Sequence, residues 1–230
     1  MKNSAAVFLQ ARISSTRLPA KALLPLAGKP IISHAMEALT HIGASFNVLL
    51  TDKQSAPLFK EHAEAAGFDM FIGPRDDVLK RFSMAADKFG PSHIIRATGD
   101  NPLVDPDAAK LLLAEHIESS ADYSGFDGPP IGTGVEILAA GAMKIADRES
   151  FEKYDREHVS PFLYRNPARF KINRLRAPEE ICLDGCSVSI DTRADYDYVE
   201  SLFNALYEGH PLKCADILPW LREKPIRSHQ

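Results

Sequence analysis

A group of cationic and hydroxyl side chains follows the first apolar segment of the chain. That segment, Ala5 to Leu9, is short and apolar, which is typical of a buried parallel strand. The loop after it carries Arg12, Ser14, Ser15, Thr16, Arg17 and Lys21. Guanidinium and ammonium groups are natural partners of phosphate oxygens, so the loop predicts a polyanion site. A solvated basic loop would have the same composition, and the spacing is neither that of a P-loop nor that of a dinucleotide-binding glycine motif.

Two aspartates stand where later apolar segments end. Asp100 follows the predicted strand His93 to Ala97, and Asp191 ends the predicted strand Val188 to Asp191. Carboxylates at the carboxyl ends of two central strands could share one Mg²⁺, which takes one or two carboxylates together with phosphate oxygens. Each also has a structural interpretation, Asp100 as a turn residue and Asp191 as a helix N-cap. Asp105 is predicted to be an N-cap only.

Two further segments carry polar groups near predicted turns. The segment Asp155 to Pro161 reads DREHVSP, in which alternating charges precede a histidine. It is typical either of the edge of a site or of a solvated helical turn. The segment Gly132 to Glu136 places paired glycines before a strand, which permits either close backbone approach to a ligand or a flexible turn.

The elements that must position these groups follow a β-α-β-α order through the first half of the chain. Apolar patterns predict strands at 5–9, 47–50, 69–72 and 93–97, and helices at 31–40, 56–66, 75–89 and 106–119. This order predicts an α/β fold with a mostly parallel Rossmann-like sheet and helices on both faces.

The second half of the sequence is less regular. It predicts a loop at 123–133, strands at 135–138, 170–175 and 188–191, helices at 139–147 and 194–207, and a mostly helical segment at 150–164. The tail around Trp220 is predicted to end loosely. We therefore expect one domain over 1–230, with 123–185 as an irregular substrate or dimer subregion.

Composition limits the classes of function. The chain has 230 residues, a net charge of −4 and a pI of about 6.1, which argues against a general nucleic-acid binder. No segment has the length of a membrane span or the pattern of a signal peptide. Three cysteines favour reduced thiols and a cytoplasmic location. Cys182 and Cys186 lack a second ligand pair at zinc-finger spacing.

In this order, the segments resemble the cytidylyltransferase family that activates sugar acids. The sequence is most similar to the spore coat polysaccharide biosynthesis branch, and more distantly to acylneuraminate and 3-deoxy-manno-octulosonate cytidylyltransferases. The resemblance covers about 5–207. Its motifs are Gln10-Ala11-Arg12, Ser15-Thr16-Arg17-Leu18-Pro19, Lys21, Gly28-Lys29-Pro30, Asp77-Val78-Leu79, Arg81-Phe82, Thr98 to Leu103, Arg156 to Val159, Ile190-Asp191-Thr192 and Asp195.

The resemblance implies a sheet of the nucleotide-diphospho-sugar transferase type and a set of residue roles. Arg12, Lys21 and Asp100 would be catalytic, and Asp100 and Asp191 would bind Mg²⁺. The nucleotide would contact Ala11, Arg12, Arg17, Lys21 and Arg96. The acceptor sugar would lie beside Arg156, Glu157, His158 and the segment Gly132 to Glu136.

The implied reaction is CMP-sugar synthesis for a surface polysaccharide. CTP and a nonulosonic or octulosonic acid would be the substrates of a homodimer, with no nucleic acid or membrane as partner. The sequence departs from the family at Ser14 and Ala20, where glycine is usual; a β-carbon there restricts left-handed backbone. Two alternatives stay open: a glycosyltransferase that uses a nucleotide-sugar donor, and a non-catalytic nucleotide-binding partner in polysaccharide assembly.

Overall fold

The computed structural model describes residues 4–224, and its strands form one large sheet and a small hairpin. The strands are β1 (Ala5–Gln10), β2 (Pro25–Leu26), β3 (Lys29–Pro30), β4 (Phe46–Thr51), β5 (Asp69–Ile72), β6 (His93–Thr98), β7 (Tyr123–Asp127), β8 (Glu136–Ala139) and β9 (Ile172–Arg176). In the large sheet the strand order is β5-β4-β1-β6-β8-β7-β9. Only β8 runs against its neighbours β6 and β7; β1 pairs in parallel with both β4 and β6. The predicted mostly parallel sheet is confirmed.

Helices cover both faces of this sheet, as predicted. They are α1 (Ile31–Thr40), α2 (Ala56–Ala65), α3 (Val78–Phe89), α4 (Pro106–Ser119), α5 (Ala140–Glu149), α6 (Lys153–His158), α7 (Pro161–Tyr164), α8 (Arg193–Leu206) and α9 (Cys214–Glu223).

Alternate side chains of β1 fill the two core layers. Leu9 packs with α1, α2 and α4, whereas Phe8 packs with α3, α5 and α7, because successive strand side chains point to opposite faces. Phe8 also meets Phe82 edge to face, with ring centroids 5.8 Å apart. Burial on both faces explains why β1 is apolar from Ala5 to Leu9.

Two second-half predictions are wrong. The predicted loop 123–133 begins with strand β7, whose Gly125 lies against the Tyr123 ring. The segment 150–164 is mostly helical, as predicted, but it forms two short helices, α6 and α7, separated at Val159, which has a φ of 71°. The predicted strand 188–191 is not a strand; a single bridge joins Ser187 to Ile131.

The segment 188–191 has an apolar pattern for another reason. Val188 and Ile190 are buried against α8 and α9, so their burial comes from helices rather than from a sheet. The same cluster holds Trp220, which is 8% exposed within α9. Helix α9 was not predicted, and the predicted loose end of the tail, 225–230, lies outside the described residues. No helix in the described part of the chain is both long and apolar enough to cross a bilayer.

Candidate active site

A large cleft lies at the carboxyl ends of β1 and β6. It has a volume of about 630 Å³ and is lined by Gln10, Ala11, Arg12, Ser14, Ser15, Thr16, Arg17, Lys21, Ala22, Arg75, Val78, Arg81, Arg96, Thr98, Gly99, Asp100, Glu157, His158 and Asp191. The two strand ends are joined by a 2.9 Å hydrogen bond from the Gly99 amide to the Gln10 carbonyl oxygen. A β-carbon at Gly99 would come within 2.9 Å of the Ala11 Cβ. Glycine at 99 therefore permits this close approach.

The basic loop is folded back over the cleft. The Ile13 amide donates to Ser55 Oγ at 2.9 Å, and the Ala20 amide donates to the Ile13 carbonyl at 3.3 Å. Ala20 adopts the left-handed conformation (φ 54°, ψ 25°), and a 3₁₀ turn at Lys21–Leu23 follows it. These contacts turn the Lys21 side chain toward the ends of β1 and β6.

Lys21 lies between the two predicted metal-binding aspartates. Its ammonium donates to Asp100 Oδ2 at 2.7 Å, to Asp191 Oδ1 at 2.8 Å and to the Ile190 carbonyl oxygen at 2.8 Å. Asp191 does not cap α8; Thr192 is the N-cap, in a capping box with Asp195. The structure thus brings Lys21, Asp100 and Asp191 into one cluster.

Arg17 completes this cluster from the solvent side. Its Nη2 lies 2.9 Å from Asp191 Oδ1. Partial burial opposes ionisation of Asp191, but the Lys21 ammonium and the Arg17 guanidinium outweigh it and hold the pKa of Asp191 below its usual value. Asp191 is therefore an ionised carboxylate at neutral pH.

The two aspartates fit a small divalent cation. One nitrogen lies within 2.8 Å of a carboxylate oxygen of each, so both can approach a single cation. Asp100 Oδ1 is also buried and has no hydrogen-bond partner among residues 4–224. No group of three acidic, histidine or cysteine side chains surrounds a metal position in that part of the chain, so the remaining ligands would come from phosphates and water.

Arg12 lies at the opposite side of the cleft. Its Nη2 is 3.4 Å from Glu157 Oε1, and its Nη1 is 4.0 Å from Asp76 Oδ1. The Arg12 side chain is 38% exposed, so these are weak, solvent-screened pairs. Arg12 is free to turn toward an anion in the cleft.

The segment Arg156 to His158 divides between the cleft and the protein interior. Glu157 and His158 line the cleft, whereas Arg156 does not. Arg156 forms paired hydrogen bonds of 2.9 and 2.6 Å to Asp77 and one of 2.8 Å to Asp147. These contacts tie α6 to α3 and α5.

A second, smaller cavity shares a wall with the cleft. It measures about 240 Å³ and is lined by Arg96, Ala97, Thr98, Asn101, Ala108, Ala109, Leu112, Phe126, Pro129, Pro130, Ile131, Gly132, Thr133, Gly134, Val135 and Glu136. Arg96 and Thr98 line both spaces. A β-carbon at Gly132, whose φ is 99°, would lie 2.7 Å from the Ser189 amide nitrogen. Glycine there lets the chain turn tightly beside the cavity.

Arg81 is a cleft residue that belongs to the Arg81-Phe82 motif, but the sequence predicted no role for it in the site. It is 1% exposed and donates from Nη1 to the Pro74 carbonyl oxygen at 2.7 Å. Burial lowers the pKa of Arg81 to about 10, so the side chain keeps its charge at neutral pH. A sequence signal existed: position 81 falls on the apolar stripe of α3, between Val78 and Phe82.

These features define a nucleotide-binding α/β protein, and comparison with known proteins identifies its family. The family model for cytidylyltransferases matches residues 6–212. The chain belongs to the cytidylyltransferase family, which makes it a CTP-dependent nucleotidyltransferase. The predicted family resemblance is confirmed.

Two curated relatives illustrate the range of the family. The chain is 28% identical to the spore coat polysaccharide biosynthesis protein SpsF of Bacillus subtilis, covering 97% of this chain and 96% of that protein. It is 31% identical to the 3-deoxy-manno-octulosonate cytidylyltransferase of Yersinia enterocolitica, covering 64% of this chain and 59% of that protein.

Solved structures show the same fold. A cytidylyltransferase from Leptospira borgpetersenii superposes with a TM-score of 0.87 at 24% identity, covering 97% of this chain and 95% of that one. A CMP:2-keto-3-deoxy-manno-octonic acid synthetase complexed with CTP superposes with a TM-score of 0.69 at 17% identity, covering 88% of this chain and 99% of that one.

Proposed function

We propose that the protein is a CMP-sugar synthetase that transfers the cytidylyl group of CTP to a sugar acid and releases pyrophosphate. The observation that carries this proposal is the meeting of Lys21, Asp100 and Asp191 at the strand ends, beside a second cavity. A cationic loop facing two carboxylates suits a triphosphate with its divalent cation.

In the proposed reaction, an acceptor hydroxyl oxygen bonds to the α-phosphorus of CTP. The bond from that phosphorus to the β-phosphate bridging oxygen breaks, pyrophosphate leaves, and the hydroxyl proton passes to solvent. The chain needs no covalent intermediate, because positioning and charge neutralisation suffice. Arg12, Arg17 and Lys21 would offset the charge that grows on pyrophosphate. Asp100 and Asp191 would hold Mg²⁺, which polarises phosphate oxygens when bound.

The second cavity is the proposed acceptor site. It meets the cleft at Arg96 and Thr98, so an acceptor bound there would face a phosphate in the cleft. Its wall combines apolar side chains with Asn101, Thr133 and the Arg96–Glu136 ion pair, a mixture that suits a sugar. The names of the relatives favour an octulosonic acid as the acceptor, and a nonulosonic acid is the other acceptor that the sequence resemblance implies.

A nucleotide-sugar glycosyltransferase is less well supported. The donor site of such an enzyme would need a D-x-D pair, and that spacing occurs at Asp105 to Asp107. Asp105 is 3% exposed and already accepts hydrogen bonds from the amides of Asp107, Ala108 and Cys214. Asp105 is the N-cap of α4, as predicted, and its carboxylate oxygens are already occupied by these hydrogen bonds.

The first test is pyrophosphate release from CTP and Mg²⁺ with a panel of octulosonic and nonulosonic acids, using ATP, GTP and UTP as controls. We expect release with CTP and one acid. Asp100→Asn should lower kcat by about 100-fold, since it removes a charge beside the reacting phosphates. Asp127→Asn is the matched control, because Asp127 is exposed and pairs with Arg174 outside the cleft.

Two results would change this proposal. Normal turnover by Asp100→Asn would contradict the assigned role of Asp100. CTP binding without pyrophosphate release from any acid would favour the non-catalytic partner. A homodimer and a cytoplasmic location remain predictions, which light scattering and cell fractionation would test.

A further inference from the structure

The ammonium group of Lys21 has no hydrogen-bonding capacity left. A lysine ammonium has three donors, and Lys21 uses them on Asp100 Oδ2, Asp191 Oδ1 and the Ile190 carbonyl oxygen. The side chain is 14% exposed, so water screens these contacts little. In this arrangement Lys21 cannot also bind a phosphate.

The position that Lys21 fills is the one that a divalent cation would need. Both carboxylates converge on the ammonium, and an ammonium and a metal ion cannot share that space because their charges repel at contact distance. Asp100 Oδ1 is buried beside it without a partner among the described residues, which leaves one ligand oxygen unused. The space between the two carboxylates is therefore filled by a cation of the chain itself.

We propose that Lys21 is a placeholder cation, which occupies the space between Asp100 and Asp191 until nucleotide phosphates draw it away and a divalent metal replaces it. This inference rests on the proposed function of the cleft as a CTP site. The flexible lysine stem allows the movement, and a triphosphate supplies new oxygens for the displaced ammonium. Arg17 would also turn toward the phosphates, because Asp191 is its one ion-pair partner among the described residues.

The exchange links metal binding to nucleotide binding. Before the nucleotide arrives, the metal must displace Lys21 by itself, so its affinity is low. The metal and the nucleotide therefore strengthen each other's binding by the same factor, as thermodynamic linkage requires. Free metal would not accumulate between the carboxylates of the nucleotide-free protein.

The test is the affinity for Mn²⁺ alone, measured by electron paramagnetic resonance of the free ion without nucleotide. Lys21→Met keeps the stem and removes the ammonium, and we expect it to bind Mn²⁺ at least about tenfold more tightly than wild type. Arg17→Met is the matched control, because it also removes a positive charge that contacts Asp191 but leaves the space between the carboxylates occupied. We expect a smaller gain from it. Lys29→Met controls for a distant lysine, whose Nζ is 2.8 Å from Glu37.

The outcomes separate this inference from the proposed function. Equal Mn²⁺ affinity in Lys21→Met and wild type, or equal gains in Lys21→Met and Arg17→Met, would overturn the placeholder role. Tighter Mn²⁺ binding by Lys21→Met in a protein that does not bind CTP would overturn the proposed function instead.

A measurement on the wild type covers the case in which Lys21→Met fails to fold. Lysine labelled with ¹⁵N at Nζ should give an NMR signal for the hydrogen-bonded Lys21 ammonium. We expect CTP with Mg²⁺ to shift that signal. An unchanged signal at saturating CTP and Mg²⁺ would show that Lys21 stays in place, and the inference would be wrong.

Discussion

Arg96 donates from Nη1 to Glu136 Oε2 over 2.5 Å, in the wall that the nucleotide cleft and the second cavity share. Glu136 also accepts from Tyr123 Oη at 2.9 Å and from Ser160 Oγ at 2.7 Å. These three donors fix the carboxylate, and the carboxylate fixes the guanidinium. The two cavities therefore meet at a rigid, internally neutral pair.

Glu136→Gln tests this relationship. The amide keeps the shape but removes the charge that orients Arg96, so we expect the KM for the acceptor acid to rise about tenfold, as for loss of a charged hydrogen bond. The KM for CTP should change less, because Arg12, Arg17 and Lys21 remain. Steady-state kinetics with each substrate varied separately measures the difference. Glu149→Gln serves as control, since Glu149 pairs with Arg169 at the surface; equal effects on both KM values would count against the assignment.

Arg156→Met tests whether Arg156 acts on the acceptor or holds α6 in place. The guanidinium joins Asp77 to Asp147, and the Asp147 side chain is only 6% exposed. Removing it takes charged hydrogen bonds from Asp147, which keeps Lys80 Nζ at 3.2 Å, so we expect a loss of about 2 kcal/mol. Urea unfolding should show this loss. The matched variant Arg169→Met breaks an exposed pair and should cost less than about 1 kcal/mol. Unchanged stability with a raised acceptor KM would favour direct contact with the sugar.

The sequence predicted the elements whose local hydrophobic pattern is compatible with a single type of secondary structure. Helices α1 and α4 and strand β5 have the predicted bounds, because an amphipathic stripe or a short apolar run lies between turn residues there. It failed where burial comes from distant elements. Val188 and Ile190 are apolar because α8 and α9 cover them, and no local pattern distinguishes that from a strand.

For the site, the sequence predicted which residues gather but not how they pair. Lys21, Asp100 and Asp191 are far apart in the chain. The pairing of β1 with β6 brings Lys21 and Asp100 together, and a 3.1 Å hydrogen bond from the Ile190 amide to the Asp100 carbonyl oxygen places Asp191 beside them. That Lys21 would lie between the carboxylates depends on the left-handed Ala20 and the turn after it, which spacing does not encode. The acceptor site was predicted to include Arg156 together with Glu157 and His158. Adjacent residues of a helix point in different directions, so the Arg156 side chain lies outside the cleft that the other two line.

His116 makes stability depend on pH. It is fully buried in α4, with a 2.8 Å hydrogen bond between Nδ1 and Ser124 Oγ. Burial, together with neighbouring His93, lowers the pKa of His116 to about 4 from the ordinary 6.5. The folded protein therefore keeps this ring neutral, whereas the unfolded chain takes up a proton below pH 6.5. Stability should fall as pH drops from 6.5 toward 4, by roughly 3 kcal/mol from this residue.

Urea unfolding across that pH range measures the effect. His116→Asn keeps a hydrogen-bonding group near Ser124 but does not titrate, so its stability should vary less steeply with pH than that of the wild type. His41→Asn is the control, because His41 is exposed just after α1. A slope in His116→Asn equal to that of the wild type would exclude His116 as the source.

Ala20→Gly should stabilise the protein, although it lies in the basic loop. Ala20 has a φ of 54° and a ψ of 25°, a left-handed conformation that costs an alanine about 1–2 kcal/mol. Glycine removes that cost, but its greater backbone freedom in the unfolded chain opposes folding by about 0.5–1 kcal/mol. We therefore expect the free energy of unfolding to rise by about 0.5–1 kcal/mol. Ser14 also replaces a glycine that is usual in the family, but it is not among the positive-φ residues of 4–224. Ser14→Gly should therefore give no gain. Thermal unfolding of both variants decides the matter: a Tm that rises for Ser14→Gly and not for Ala20→Gly would show that the strain lies elsewhere in the loop.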